Sequence, residues 1–326
     1  MRDMKKSGFP ATSLKLLITL LLLFLVFISV DISKISQDLK SFSATSLILL
    51  CMLCWAGQLM CSERWRIFAA SLQMMGTYRS FVQVYFAGMF FNIGLPSLVG
   101  GDVIKAYIIG RKNNKPLPIA LASVLLDRGA GLVSLLIYGS IAIVLAPMTW
   151  RGIPLWSVYT VVWVAIGVVL LLVSKGDRLY RRFLNPESRT LLQKALQTIA
   201  DFHQALAVSN LSPGAALRIA VYSFIYSGLV LWVFQQVTVA ARHSVGIVAF
   251  SALFPLIAIG TMLPITLGGI GLREWLYVEA LSLAGIPRDQ CLFISLATSA
   301  LYLVINLAGI FFLPAVPTEL RKHIEH

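Results

Sequence analysis

The sequence predicts an all-α polytopic membrane protein, with about six full crossings plus two broken or re-entrant helical hairpins in an inverted repeat. Three observations predict it. Of the 326 residues 58% are hydrophobic and only 13% are charged, against about 25% charged in soluble domains. A soluble core of this size needs a charged shell, and lipid needs none. Apolar runs of about 20 residues, enough to cross a hydrocarbon layer of about 30 Å, follow one another with little sequence between them. Finally, one proline- and glycine-containing motif occurs twice, each time in the middle of a long apolar stretch.

Six runs read as full crossings: Leu14 to Val30, Ala44 to Cys61, Ile119 to Ala146, Ile153 to Val173, Pro213 to Phe234 and Cys291 to Leu313. The first follows Lys5, Lys6 and Lys15, as in a signal peptide. It is longer than a signal h-region, lacks a clear small-x-small cleavage site and precedes further spans, so it is expected to be a membrane helix. Two further stretches, 81–109 and 245–283, are apolar but interrupted. Residues 1–326 therefore read as a single transmembrane domain with no room for a separate soluble catalytic unit.

Basic residues set the expected orientation. With a cytoplasmic N terminus, only Lys34, Lys40, Arg151, Arg242, Arg273 and Arg288 of the 27 lysines and arginines fall on the far side, as the positive-inside rule requires. Both termini are then cytoplasmic. This works only if 81–109 enters and leaves from the cytoplasmic face and 245–283 from the opposite face. A tight re-entrant hairpin and two short crossing helices satisfy that parity equally. The net charge of +13 is spread beside spans, which suits anionic headgroups and gives no nucleic-acid surface. Segment 175–212 places Leu191, Leu192, Leu196, Ile199, Phe202 and Leu206 at mixed helical spacings, as in an amphipathic helix on the inner membrane surface. Glu63-Arg64-Trp65-Arg66 reads as an interfacial turn with Trp65 at headgroup level. Cys51 and Cys54 form a CxxC inside an apolar run and read as buried small side chains. The four histidines are scattered, so neither a metal site nor a cofactor is expected.

The repeated motif is L-P-x-x-x-G-G-x-x-x-[KR]. It runs from Leu95 and Pro96 through Gly100, Gly101 and Asp102 to Lys105, and again from Leu263 and Pro264 through Gly268 and Gly269 to Arg273, at a constant offset of 168. The expected topology opens the first copy to the cytoplasm and the second to the outside. Paired broken helices of opposite orientation form the midplane binding sites of secondary transporters. Proline removes a backbone donor and paired glycines let the chain turn or let a ligand approach. Such a break has to be buried or line a polar cavity, because lipid cannot satisfy its peptide groups. The helix that follows would aim N–H groups at an anion, with Lys105 and Arg273 adding charge about one turn on. Packing kinks with snorkelling cations are the bland alternative. Asp102 has Ile270 as its counterpart, and Glu274 follows Arg273. For these carboxylates a salt bridge, a helix cap and a proton carrier are all open. Asn92, Asp127, Arg128, Glu279 and Asn306 also lie near the breaks. Asp127 and Arg128 point about 100° apart on a helix, so they are expected to have different partners.

The residues Asn92 to Ser97 running into Gly100-Gly101-Asp102 and Lys105, Leu126-Asp127-Arg128 before Gly129, and Pro264 through Gly268-Gly269-Ile270-Gly271-Leu272 to Arg273-Glu274 occur in that order over most of the chain. In these features the sequence resembles the lysylphosphatidylglycerol synthase transmembrane-region family of flippase-like integral membrane proteins. In the multidomain members the resembling region translocates an aminoacylated phospholipid, and a separate soluble domain makes that lipid. With no such domain expected here, the resemblance implies handling of an anionic phospholipid, glycolipid or polyprenyl-phosphate-linked lipid in a bacterial cytoplasmic (inner) membrane, and not lysyl transfer. The substrate-binding residues it points to are Asn92, Pro96, Gly100, Gly101, Asp102, Lys105, Asp127, Arg128, Pro264, Gly268, Gly269, Arg273, Glu274 and Glu279. A membrane-embedded lipid or polyprenyl-phosphate transferase, using Asp102 or Glu274 as base, is the rival expectation. A non-catalytic partner of envelope lipid biosynthesis enzymes is the third. Headgroup, energy coupling and oligomeric state are not legible in the sequence.

Overall fold

The structure is a computed structural model and describes residues 43–94, 100–183, 211–240, 245–263, 266 and 269–315. Within them the chain forms nine α-helices: α1 (Ala44–Ser71), α2 (Tyr78–Gly94), α3 (Gly100–Lys112), α4 (Leu117–Leu145), α5 (Leu155–Phe183), α6 (Pro213–Ala240), α7 (Ile247–Met262), α8 (Leu272–Ser282) and α9 (Arg288–Leu307), the last continued by a 3-10 helix, Ala308–Ala315. A two-residue antiparallel pairing of Thr149–Trp150 with Ile153–Pro154 turns the chain between α4 and α5. The expected crossing at Leu14 to Val30 lies outside the described residues; of the expected amphipathic segment 175–212, residues 175–183 continue α5 and 184–210 lie outside the described residues.

Four stretches are long and apolar enough to cross a membrane: Thr45–Ser71, Leu117–Leu145, Pro213–Ala240 and Arg288–Pro314, with shorter apolar helices at Leu155–Leu171 and Ile247–Met262. The protein is thus a multi-pass membrane protein. Both interrupted stretches are pairs of helices, α2 with α3 and α7 with α8. Pro255 sits inside α7 without ending it, so the second interruption falls at the Pro-Gly motif.

α1 departs from the sequence reading. It runs ten residues past Cys61, and Glu63-Arg64-Trp65-Arg66 is a turn of continuous helix. Trp65 is 1% exposed. Its indole N–H donates to Ser123 Oγ at 3.0 Å, and its ring meets Phe81 edge-on at 4.8 Å. Only the alternate side of that turn faces outward, where Arg66 holds Glu63 through two hydrogen bonds of 2.6 and 2.7 Å. The interfacial turn is replaced by an ion-paired helix because Arg64 finds a partner on another helix, described below. Cys51 and Cys54 are free and buried, as the apolar run implied.

The offset of 168 extends from the motif to the helix boundaries. Adding it to α1, α2 and α4 gives 212–239, 246–262 and 285–313, against 213–240 for α6, 247–262 for α7 and 288–315 for α9 with its 3-10 extension. The packing repeats as well: α2 lies on α3 and α3 on α4, as α7 lies on α8 and α8 on α9. The counterparts α1 and α6 pack directly against each other. Gly57 lies against Tyr226 and Leu229, Arg64 reaches Ser223, and Ile67 and Phe68 cluster with Ile219. As the number rises on α1 it falls on α6, so the two run antiparallel. At their crossing the Gln58 side-chain amide donates to the Tyr226 hydroxyl at 3.3 Å, and these two residues are themselves 168 apart. The arrangement is that of an inverted repeat.

α5 is held at the periphery by two aromatic side chains. Tyr159 donates from its hydroxyl to Ala252 O on α7 at 2.7 Å, occupying the space that Gly139 leaves on α4. The Trp163 indole donates to Ser140 Oγ at 2.9 Å. Tyr159→Phe is expected to lower stability by about 0.5–1.5 kcal/mol, the usual worth of one internal hydrogen bond. The check is the thermal unfolding midpoint in detergent, with Trp156→Phe, on an exposed position, as the unchanged control.

Candidate functional site

The polar interior of the first half is built on α1, α3 and α4. Asp102 lies in the first turn of α3 and Lys105 one turn on. The Lys105 ammonium contacts Asp102 Oδ1 at 2.6 Å. It also lies 4.3 Å from the centre of the Tyr85 ring and 5.7 Å from that of Trp65, within cation–π range. Arg128, on α4, approaches the same carboxylate side-on. Its Nε donates to Asp102 Oδ2 at 2.9 Å and its Nη2 to Oδ1 at 3.1 Å. Arg64 crosses from α1 to Asp127, Nε to Oδ1 at 2.6 Å, and its Nη1 donates to Ser223 Oγ on α6 at 3.1 Å. A Cβ at residue 131 would meet that guanidinium at ordinary contact distance, 3.4 Å. Asp127 and Arg128 therefore have different partners, as their angular separation on the helix required.

Three cations and two carboxylates make this cluster one positive charge in excess. Its members differ in access. Lys105 is 2% exposed, whereas the Arg128 side chain is 38% exposed. Arg128 lies eleven residues into α4, about 16 Å from its start at about 1.5 Å per residue, inside a helix long and apolar enough to cross a membrane. A guanidinium within a membrane-length helix is costly against lipid unless it is paired, and that of Arg128 is held by Asp102.

The glycine pair allows α2 and α3 to approach backbone to backbone. Gly101 lies against Gly88 O, and Gly88 in turn lies under the Lys105 stem. The Gly101 N–H is already taken by Asn92 Oδ1 at 3.0 Å. At the second break Gly269 and Gly271 have φ values of 78° and 80°, the left-handed region that favours glycine. The Gly271 N–H donates to Glu274 Oε2 at 2.6 Å, so the carboxylate caps its own helix. The other oxygen accepts from Arg273 Nε and Nη2 at 3.2 and 3.1 Å. At these two amides the helix starts are satisfied internally.

Of the residues singled out from sequence, the structure gathers Asn92, Gly101, Asp102, Lys105, Asp127 and Arg128 into one region of the first half. Gly100 opens α3. Arg273 and Glu274 form a pair of their own beyond Gly269, and among the described residues no ion pair joins them to Asp102 or Lys105. α8 rests mainly on α7 and α9, and α3 on α2 and α4. Glu279 is used elsewhere. It accepts from Arg288 at 2.5 Å and from the Trp150 indole at 3.3 Å, fastening the short β-turn to the α8–α9 corner. Asn306 is 1% exposed and donates to Tyr302 O at 2.6 Å. Pro96, Pro264 and Gly268 lie outside the described residues. Sequence reasoning missed Arg64, Trp65, Tyr85 and Ser223 as parts of the site. The one available signal was Arg64 beside an apolar run with no adjacent exit from it.

A buried, ion-paired charged cluster among membrane-length helices, on a chain whose helix order repeats with inversion, defines an integral membrane protein. The chain belongs to the lysylphosphatidylglycerol synthase TM region family, whose model matches residues 13–309. It is also similar to the UPF0104 membrane protein of Methanocaldococcus jannaschii, at 20% identity over 98% of this chain and 99% of that protein. No solved structure matches the chain.

Proposed function

We propose that the protein moves the headgroup of an anionic lipid, whether phospholipid, glycolipid or polyprenyl-phosphate-linked lipid, across a bacterial cytoplasmic membrane. The observation that carries this reading is the surplus positive charge of the buried cluster, whose Arg128 side chain is 38% exposed. A lipid phosphate held there keeps its tails in hydrocarbon and avoids the cost of carrying an unpaired charge across the membrane core. The family membership and the antiparallel packing of α1 and α6 support the same reading, because inverted repeats suit a centre that opens alternately to the two sides. Arg128 replaces Lys105 as the expected first contact, since Lys105 is covered by Asp102, Trp65 and Tyr85. The rival transferase reading needs a carboxylate free to take a proton. Asp102, Asp127 and Glu274 are each engaged by cations or by a helix N–H.

The test is purified protein in liposomes, following headgroup accessibility of labelled phosphatidylglycerol and of a neutral lipid. Wild type is expected to move the anionic lipid. Arg128→Gln is expected to slow it by roughly tenfold to a hundredfold, the worth of about 1.5–3 kcal/mol for hydrogen bonds to a charged group. Chemical conversion of the lipid without movement would favour the transferase, and indifference to Arg128→Gln would remove the assigned phosphate contact.

A further inference from the structure

The Asp102 carboxylate occupies the place that a substrate anion needs. Arg128 presents Nε and Nη2 side by side to its two oxygens, the same fork by which arginine grips a phosphate. Asp102 and Lys105 are one turn apart on α3, whereas Arg128 stands on α4, so the Arg128 fork is a charged tie between the two helices. The second half does not repeat it at the matching positions. The positions matching Asp102, Arg128, Asp127 and Arg64 at the offset of 168 hold Ile270, Leu296, Ser295 and Trp232. Arg273 grips the adjacent residue of its own helix. A tie at these positions is thus a feature of one half; α8 and α9 are joined by a different ion pair, Glu279 with Arg288, at their corner.

Resting on the transport reading above, we propose that Asp102 is an internal stand-in for the substrate, and that a lipid phosphodiester displaces it from Arg128. The phosphate oxygens take over the Nε and Nη2 hydrogen bonds. Asp102 stays with Lys105, with which it is already paired at 2.6 Å, and the charged link between α3 and α4 is released. Substrate arrival therefore unlatches the first hairpin. Charge counting sets the substrate class. The cluster carries one surplus positive charge, so a phosphodiester with a single negative charge neutralises it, and a dianionic phosphomonoester overfills it. Arrival of the diester needs no accompanying proton.

Binding to the full chain in detergent tests this, with dihexanoyl phosphatidylglycerol as diester lipid, dihexanoyl phosphatidic acid as monoester lipid, and inorganic phosphate and glycerophosphoglycerol as tail-free anions. Wild type is expected to bind the diester lipid roughly tenfold more tightly than the monoester, the scale of one charge-assisted contact, and both tail-free anions more weakly. Asp102→Asn keeps the shape and removes the competing charge. It is expected to tighten diester binding by roughly tenfold and shift the preference toward the dianion, since the surplus becomes two charges. Asp102→Glu, which keeps the competing charge, is expected to show none of that tightening. Amide exchange over 100–112 is expected to rise on diester binding in wild type, and to be raised already in Asp102→Asn without ligand. A folded Asp102→Asn protein that binds the diester no better than wild type overturns the proposal, as does a monoester preference in wild type. Should Asp102→Asn fail to fold, the wild-type preference and exchange response decide alone. Competition without headgroup movement in liposomes would leave the latch standing and remove the transport reading; movement with binding indifferent to residue 102 would do the reverse.

Discussion

Replacing Asp127 by alanine is expected to cost about 3–5 kcal/mol of stability, the typical cost of stranding one partner of a buried ion pair. Arg64 and Asp127 are 3% and 2% exposed at the side chain, and their contact is 2.6 Å. Without Asp127 the guanidinium keeps only Ser223 and the face of Tyr226 at 5.9 Å, neither of which carries opposite charge. Arg64→Ala strands Asp127 in the same way. The pair joins α1 to α4, and Ser223 adds α6, so the loss is expected to loosen the crossing on which both halves meet. Replacing both members by leucine or methionine restores an apolar contact, and is expected to recover most of the loss. Thermal unfolding in detergent of both single variants and the double variant forms the cycle that measures this. Single-variant costs below about 1 kcal/mol, as found for exposed pairs, would show that water reaches the pair.

Gly101→Ala is expected to cost the upper end of the about 1–3 kcal/mol typical of overpacking, because the obstruction is backbone. A Cβ at residue 101 would fall on Gly88 O and on Asn92 Oδ1, forcing α2 and α3 apart and lifting the Lys105 stem that lies over Gly88. Gly309→Ala would meet Phe86 O on the other flank of α2 in the same way. Gly129→Ala is the control. Nothing lies within 4 Å of its added Cβ, and an alanine there is expected to be neutral or to stabilise α4 by about 0.5–1 kcal/mol. Unfolding midpoints and the fraction of monodisperse protein after extraction distinguish the three. Equal losses at residues 101 and 129 would show that the close approach to Gly88 does not set the cost, since helix propensity favours alanine at both.

The helical membrane fold was legible because lipid leaves a plain record in composition, and the two breaks because proline and paired glycines are costly anywhere else. The end of α1 was misread for an electrostatic reason. Glu63-Arg64-Trp65-Arg66 has the composition of a membrane exit, and only the partner 63 residues away, Asp127, shows that Arg64 is neutralised inside the bundle. Asp102, Lys105 and Arg128 were each recognisable. Their assembly around one carboxylate was not, since it depends on the angle at which α3 meets α4. Glu279 was grouped with the break by proximity in sequence, and the structure gives it to Arg288 and Trp150 instead. Such pairings are settled by three-dimensional packing, on which local residue patterns carry no information.

The opposed senses of α1 and α6 have a bearing on how such a chain arose. One half, consisting of a crossing, a hairpin and a returning crossing, begins and finishes on the same side of the bilayer. A second copy fused directly behind it would insert the same way up and could not cross its twin head to tail. Among the described residues, α5 is the helix that lies between the two copies and outside the repeat. An ancestor lacking this connector would have needed to insert in both senses and pair with an upside-down sibling, and joining the two through α5 fixes that pairing within one polypeptide.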